Sequence, residues 1–128
     1  MRLILDTHIL LWSFYRPELL KASVTEMIQN PDNVVLFSPV SIWEIAIKAA
    51  LKRPDFDVDP ELMLSLMEKA GFTELPIVSR AALGVRDLPR HHDDPFDRLL
   101  IAQAIAESAI LLTADSKLKA YSGLVRLA

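Results

Sequence analysis

The 128-residue chain carries 14 Lys and Arg against 17 Asp and Glu, for a formal net charge of −3, and 52% of it is hydrophobic. That length makes residues 1–128 one domain with a substantial core. The acidic balance leaves any nucleic-acid contact to local patches, and the absence of cysteine excludes both a disulfide framework and a thiolate metal site.

Leu3-Ile4-Leu5 reads as a short buried strand that stops at Asp6-Thr7. The apolar run is broken too early for a secretory leader, and no later run reaches membrane-spanning length, so a cytoplasmic protein without a membrane segment is expected. A helix follows through Ile9, Leu10, Leu11, Trp12 and Phe14, ending before Pro17. A second helical stretch, Leu19 to Gln29, stops at the turn cluster Asn30-Pro31-Asp32-Asn33. Val34–Phe37 is the next strand, and Ser38-Pro39 supplies an N-cap and first helical residue. The helix from Pro39 to about Lys52 carries Val40, Trp43, Ile47 and Leu51 at helical spacing, which predicts a core-facing stripe.

After a polar break, Asp59-Pro60-Glu61 opens a helix to Ala70, with Gly71 as its stop. Phe72 to Ile77 holds a short extended piece, and Ser79 is placed to cap a helix over Arg80–Arg86. A loop through His91 and His92 leads to the longest apolar helix. Beyond it lie a strand at Ile110–Thr113, a turn at Asp115, a short helix over Lys117–Tyr121 and a last strand, Leu124–Leu127. Short continuous apolar strands alternating with helices predict an α/β fold: a short central parallel sheet flanked by helices on both faces. With right-handed crossovers, ligands bind beyond the carboxyl ends of the strands, where the strand order reverses.

The apolar helix begins at Asp94-Pro95, with Asp94 as N-cap. Leu99, Leu100, Ile101, Ala102, Ala104, Ile105 and Ala106 coat nearly every side, interrupted by Gln103 and Glu107, which is the pattern of a buried helix. Its opening residues are nevertheless Asp93, Asp94 and Asp97. Acids in a first turn complement the helix dipole for about 0.3–1 kcal/mol each, so capping alone accounts for this stretch taken in isolation.

The topology gathers further acids at the same edge. Asp6 follows the first strand, Asp115 follows the strand ending at Thr113, and Glu44 lies one to two turns into the helix that leaves Phe37. Each has a structural role open to it: Asp6 and Asp115 as caps, Glu44 as the i,i+4 partner of Lys48. Together, four carboxylates at one sheet edge repel one another unless a cation holds them. An oxygen-only donor set selects Mg²⁺ or Mn²⁺, ions suited to phosphodiester hydrolysis.

Leu5-Asp6-Thr7, Ser38-Pro-Val-Ser41-Ile-Trp-Glu44-Ile-Ala-Ile-Lys48, His92-Asp-Asp-Pro-Phe-Asp97-Arg98 and Thr113-Ala-Asp115 resemble, in order, the successive motifs of PIN-domain nucleases. More narrowly, the chain resembles the VapC-type toxins of toxin–antitoxin pairs. The resemblance implies a Rossmann-like PIN domain with Mg²⁺- or Mn²⁺-dependent endoribonuclease activity on RNA, a homodimer, and a cognate antitoxin as inhibitor. It carries Asp6, Glu44, Asp97 and Asp115 onto the family's catalytic, metal-holding acids, and Thr7 and Thr113 onto supporting hydroxyls. Asp94 is kept as a cap. Asp93 stands where relatives often have a basic residue.

Lys48, Lys52 and Arg98 are candidates for phosphate contact, with solvated faces or local ion pairs as the alternative. His91 and His92 are open to three readings: RNA contacts, general acids, or simply exposed loop residues. The high mean hydropathy, +0.27, together with Trp12 and Phe14, points to a buried partner surface. Two rivals are an Mg-dependent phosphohydrolase of another kind and an inactive PIN-like binding module. The first wants a second acid two residues after Asp6, where His8 stands; the second would be marked by loss of an acid, and all four are present.

Overall fold

In the computed structural model, which describes residues 1–91 and 93–128, the strands are all parallel: β1 (Arg2–Leu5), β2 (Val34–Phe37), the short polar β3 (Thr73–Glu74), β4 (Ile110–Thr113) and β5 (Val125–Leu127). Their order is β3-β2-β1-β4-β5, so the chain fills one side of β1 first and then crosses back to the other. In register, Ile4 pairs with Leu36 of β2 and with Leu111 of β4. The order reverses at β1, which puts the expected crevice at the carboxyl ends of β1 and β4.

Alternation along each strand divides the core in two. Leu3, Leu5, Val35, Phe37 and Leu112 pack on one face with Ile9 and Leu10 of α1 (Thr7–Tyr15), Val24 of α2 (Ala22–Gln29), Ile45 of α3 (Pro39–Ala50), and Met63 and Met67 of α4 (Pro60–Lys69). Ile4, Leu36 and Leu111 pack on the other with Leu100, Ile101 and Ala104 of α6 (Pro95–Glu107). Both faces are covered, as expected of a parallel sheet. No helix among the described residues is long and apolar enough to cross a membrane.

Local chemistry sets the helix starts. Ser38, Asp59 and Asp94 each accept a main-chain N–H of the first turn, and each is followed by Pro at the first helical position. Gly71, with φ of 87°, follows the end of α4 in the left-handed region that glycine tolerates best. Elsewhere the sequence expectation is corrected. Pro17 opens a separate 3-10 turn, Pro17–Leu19, and Leu20 and Lys21 are extended, so α2 begins only at Ala22. Val78, not Ser79, occupies the N-cap of α5 (Ser79–Gly84), without a side-chain cap.

Two larger corrections concern apolar faces. Trp43, Ile47 and Leu51 do not face the core: they are 61%, 41% and 55% exposed. The buried residues of α3 are Val40, Ser41 and Ile45. Conversely, Trp12 and Phe14 are half-buried against the first core and are not an open patch. The middle of α6 is buried as expected, whereas Ile105 is exposed.

Candidate active site

Asp6 leaves β1 at the center of the sheet, and its N–H continues the ladder by donating to Leu112 O at 3.0 Å. It is only 4% exposed. One carboxylate oxygen caps α1, accepting Ile9 N–H at 2.8 Å; the other accepts the hydroxyl of Thr113, the last residue of β4. Thr113 Oγ1 in turn accepts the N–H of Asp115 at 3.0 Å. Asp115 caps the 3-10 turn Ser116–Ala120 through Lys117 N–H. Asp6, Thr113 and Asp115 therefore form one continuous hydrogen-bonded run across the ends of β1 and β4.

Burial raises the Asp6 carboxyl above its ordinary value of 3.8. The Thr113 hydroxyl, the Ile9 N–H and the nearby His8 pull it back, while the charge of Glu44 pushes it further up. Glu44 is thus near enough for the two carboxylates to repel. On its own helix Glu44 meets Lys48 Nζ at 3.4 Å, so the i,i+4 pair is formed as well. Thr7 is buried and donates to Ser41 Oγ at 3.1 Å. Its hydroxyl ties the start of α1 to α3 instead of reaching an acid.

Asp97 lies in the first turn of α6, its N–H shared with the Asp94 cap at 3.3 Å. The neighboring Phe96 packs edge-to-face on Trp43, ring centroids 5.1 Å apart. That contact brings the opening of α6 alongside the α3 turn that carries Glu44. Arg98 is half-buried: its guanidinium donates to Pro89 O, Val85 O and Leu88 O, and to Tyr121 Oη. His91 is exposed, and its N–H donates to Tyr121 Oη at 3.0 Å. The expectation for His92 lies outside the described residues.

Among the described residues no three of the carboxylates and imidazoles stand together as a finished metal cage. The chemistry of the donors nevertheless suits a hard divalent ion: oxygen ligands, with a buried carboxylate whose ionisation a second carboxylate opposes. A cation there would relieve the repulsion that burial makes costly.

Ser41 and Tyr121 were not singled out by the sequence. For Ser41 the available signal is its helical spacing to Ile45, which shares the buried face of α3. Tyr121 carried no comparable hint, because nothing in its spacing points to Arg98.

The sequence matches the PIN domain family over residues 3–124. The chain belongs to the PIN domain family. A search of curated proteins returned no match. This PIN domain is similar in fold to VapBC2 from Rickettsia felis, solved bound to a DNA fragment from its promoter, with TM-score 0.71 and 18% identity, covering 100% of this chain and 98% of that one. It is similar to VapBC-5 from Mycobacterium tuberculosis, a member of the VapBC family of toxin–antitoxin systems, with TM-score 0.66, 18% identity and coverage of 98% and 96%. DNA-bound VapBC from Salmonella typhimurium gives TM-score 0.66 at 14% identity, with coverage of 100% and 97%.

Proposed function

We propose that this PIN domain is a metal-dependent endoribonuclease, the VapC-type toxin of a toxin–antitoxin pair, with Asp6, Glu44, Asp97 and Asp115 as the acids that hold Mg²⁺ or Mn²⁺. The observation that carries the reading is Asp6: a buried carboxylate at the end of the central strand, bridged by Thr113 toward Asp115 and opposed by the charge of Glu44. A structural cap needs none of that crowding. When bound, the ion supplies Lewis acidity toward water and neutralises phosphate oxygens. The chain's own contribution is to fix Asp6 from two sides, to keep Glu44 beside Lys48, and to present Asp97 and Asp115 from rigid element ends.

Lys48, partly exposed beside Glu44, is the phosphate contact in this reading. Arg98 is not, since the chain's own carbonyls take its guanidinium. The toxin assignment is supported by a fold shared with VapBC proteins over nearly the whole of both chains. It brings a cognate antitoxin as partner, a homodimer, and a cytoplasmic setting. For self-association the exposed residues Trp43, Ile47 and Leu51 replace Trp12 and Phe14 as the apolar surface.

The test is incubation of the purified protein and its Asp6→Asn variant with structured RNAs in Mg²⁺, Mn²⁺ or EDTA. Internal cleavage by the wild type in either ion, abolished by EDTA and by the substitution, is expected. Cleavage that survives EDTA overturns the reading.

A further inference from the structure

Arg98 and Tyr121 are joined to each other and to several chain segments that adjoin the acids, and neither is itself an acid. Arg98 Nη1 donates to Pro89 O at 3.0 Å and to Tyr121 Oη at 3.2 Å, and Nη2 donates to Val85 O at 3.1 Å and Leu88 O at 3.4 Å. The Tyr121 hydroxyl also accepts His91 N–H at 3.0 Å, and the His91 and Tyr121 rings meet edge-to-face at 5.1 Å. Arg98 lies 6.0 Å from the Tyr121 ring centroid, at the outer limit for a cation over a ring. The hydroxyl, not the ring face, therefore makes the contact that matters.

These bonds join chain segments that carry different acids. Arg98 directly follows Asp97 in the first turn of α6. Tyr121 closes the 3-10 turn that Asp115 caps, and Asp115 is linked through Thr113 to Asp6. The run Asp6–Thr113–Asp115 is thus returned, through Tyr121 and Arg98, to the turn bearing Asp97. The loop before α6 is held to the same two side chains.

We propose that Arg98 and Tyr121 are a positioning pair, a clamp that sets the separation of Asp97 from Asp115 and so the geometry in which the acids take a divalent cation. This rests on the nuclease reading for its consequence in RNA cleavage, but not for its consequence in metal affinity. A fork of several N–H donors matches the spread of carbonyls and hydroxyl around it, whereas an ammonium serves one or two of them. A displacement of about 1 Å in such a constellation costs on the order of 100-fold in rate.

The experiment uses Tyr121→Phe, which deletes one oxygen and keeps the ring packed, and Arg98→Lys, which keeps the charge and loses the fork. Mn²⁺ binding without RNA is measured by calorimetry, and kcat and KM for RNA cleavage are measured over a range of salt concentrations. Both variants should bind Mn²⁺ several-fold more weakly, with kcat reduced at least tenfold and KM and its salt dependence unchanged. Unaltered Mn²⁺ affinity in a folded Tyr121→Phe protein overturns the clamp. So does a raised KM in Arg98→Lys with unchanged kcat, which would make Arg98 a phosphate contact. If the wild type cleaves no RNA, the nuclease reading fails, and the Mn²⁺ comparison alone still decides the clamp.

Discussion

The hydroxyl of Thr113 donates to Asp6 Oδ2, joining the carboxyl ends of β4 and β1 across 107 positions of sequence. The same oxygen accepts the N–H of Asp115. One buried hydroxyl thus holds the Asp6 carboxylate and the main chain at Asp115 together.

Replacing it isosterically is informative. Thr113→Val leaves an Asp6 oxygen buried without its donor and the Asp115 N–H without its acceptor. A loss of about 1–3 kcal/mol in unfolding free energy is expected from stranded buried groups, whereas Thr113→Ser keeps both bonds and most of the stability. Denaturant unfolding of the two variants measures the difference. Equal stability of Thr113→Val and wild type would contradict the role given to the hydroxyl.

Asp6 also fixes the sign of a pH dependence. Burial raises its folded value above 3.8, so the metal-free folded state binds more protons than the unfolded state between the two values. Its contribution to stability is present at pH below about 3.8, the ordinary unfolded value, and is lost as pH rises through the raised folded value. Asp6→Asn, which cannot ionise, should gain on the wild type as pH climbs from 4 toward neutrality in EDTA. Parallel stability curves for the two proteins across that interval would refute the assignment of the raised group to Asp6.

The Glu44–Lys48 pair at 3.4 Å is partly exposed, and solvent screening holds such i,i+4 pairs to about 0.3–0.5 kcal/mol. Lys48→Met should therefore shift the melting temperature little. A phosphate contact at Lys48 predicts instead a clear rise in KM for RNA and a shallower salt dependence. Kinetics at two salt concentrations separate the outcomes, and an unchanged KM removes Lys48 from the substrate contacts.

Much of this architecture could be read from the residues because it depends on local chemistry. Ser38-Pro39, Asp59-Pro60 and Asp94-Pro95 place helix starts through their own oxygens and fixed φ, and β2 and β4 have the bounds of their apolar runs. What periodicity could not supply was direction. Trp43, Ile47 and Leu51 are spaced like a core stripe, but spacing does not distinguish a face turned to the sheet from one turned to another molecule. The buried face of α3 instead includes Ser41, whose polarity is masked by the Thr7 hydroxyl. The setting of Arg98 is opaque to sequence for a related reason: its carbonyl partners at Val85, Leu88 and Pro89 are main-chain atoms, which no side-chain pattern reveals.

That outward face gives a prediction of its own. Trp43 and Ile47 of α3 and its C-cap residue Leu51 are exposed at helical spacing, and the proposed homodimer would bury them. Ile47→Asp should yield a folded monomer at micromolar concentration where the wild type sediments as a dimer. A wild-type monomer at that concentration, or an undisturbed Ile47→Asp dimer, would remove α3 from the interface.

The central claim, that the acids form a cation-dependent nuclease site, is tested most directly at Asp97. Thermal melts of wild type and Asp97→Asn with and without Mg²⁺, paired with RNA cleavage, oppose two effects of known sign. A dipole partner alone would cost up to about 1 kcal/mol on amidation and leave hydrolysis intact. A member of the acid cluster loses like-charge repulsion when neutralised, and the Mg²⁺-induced rise in melting temperature shrinks because an amide oxygen is the weaker ligand. The account predicts a metal-free variant as stable as the wild type or more so, little response to Mg²⁺, and no cleavage; a variant that melts lower without metal and still cleaves RNA would contradict it.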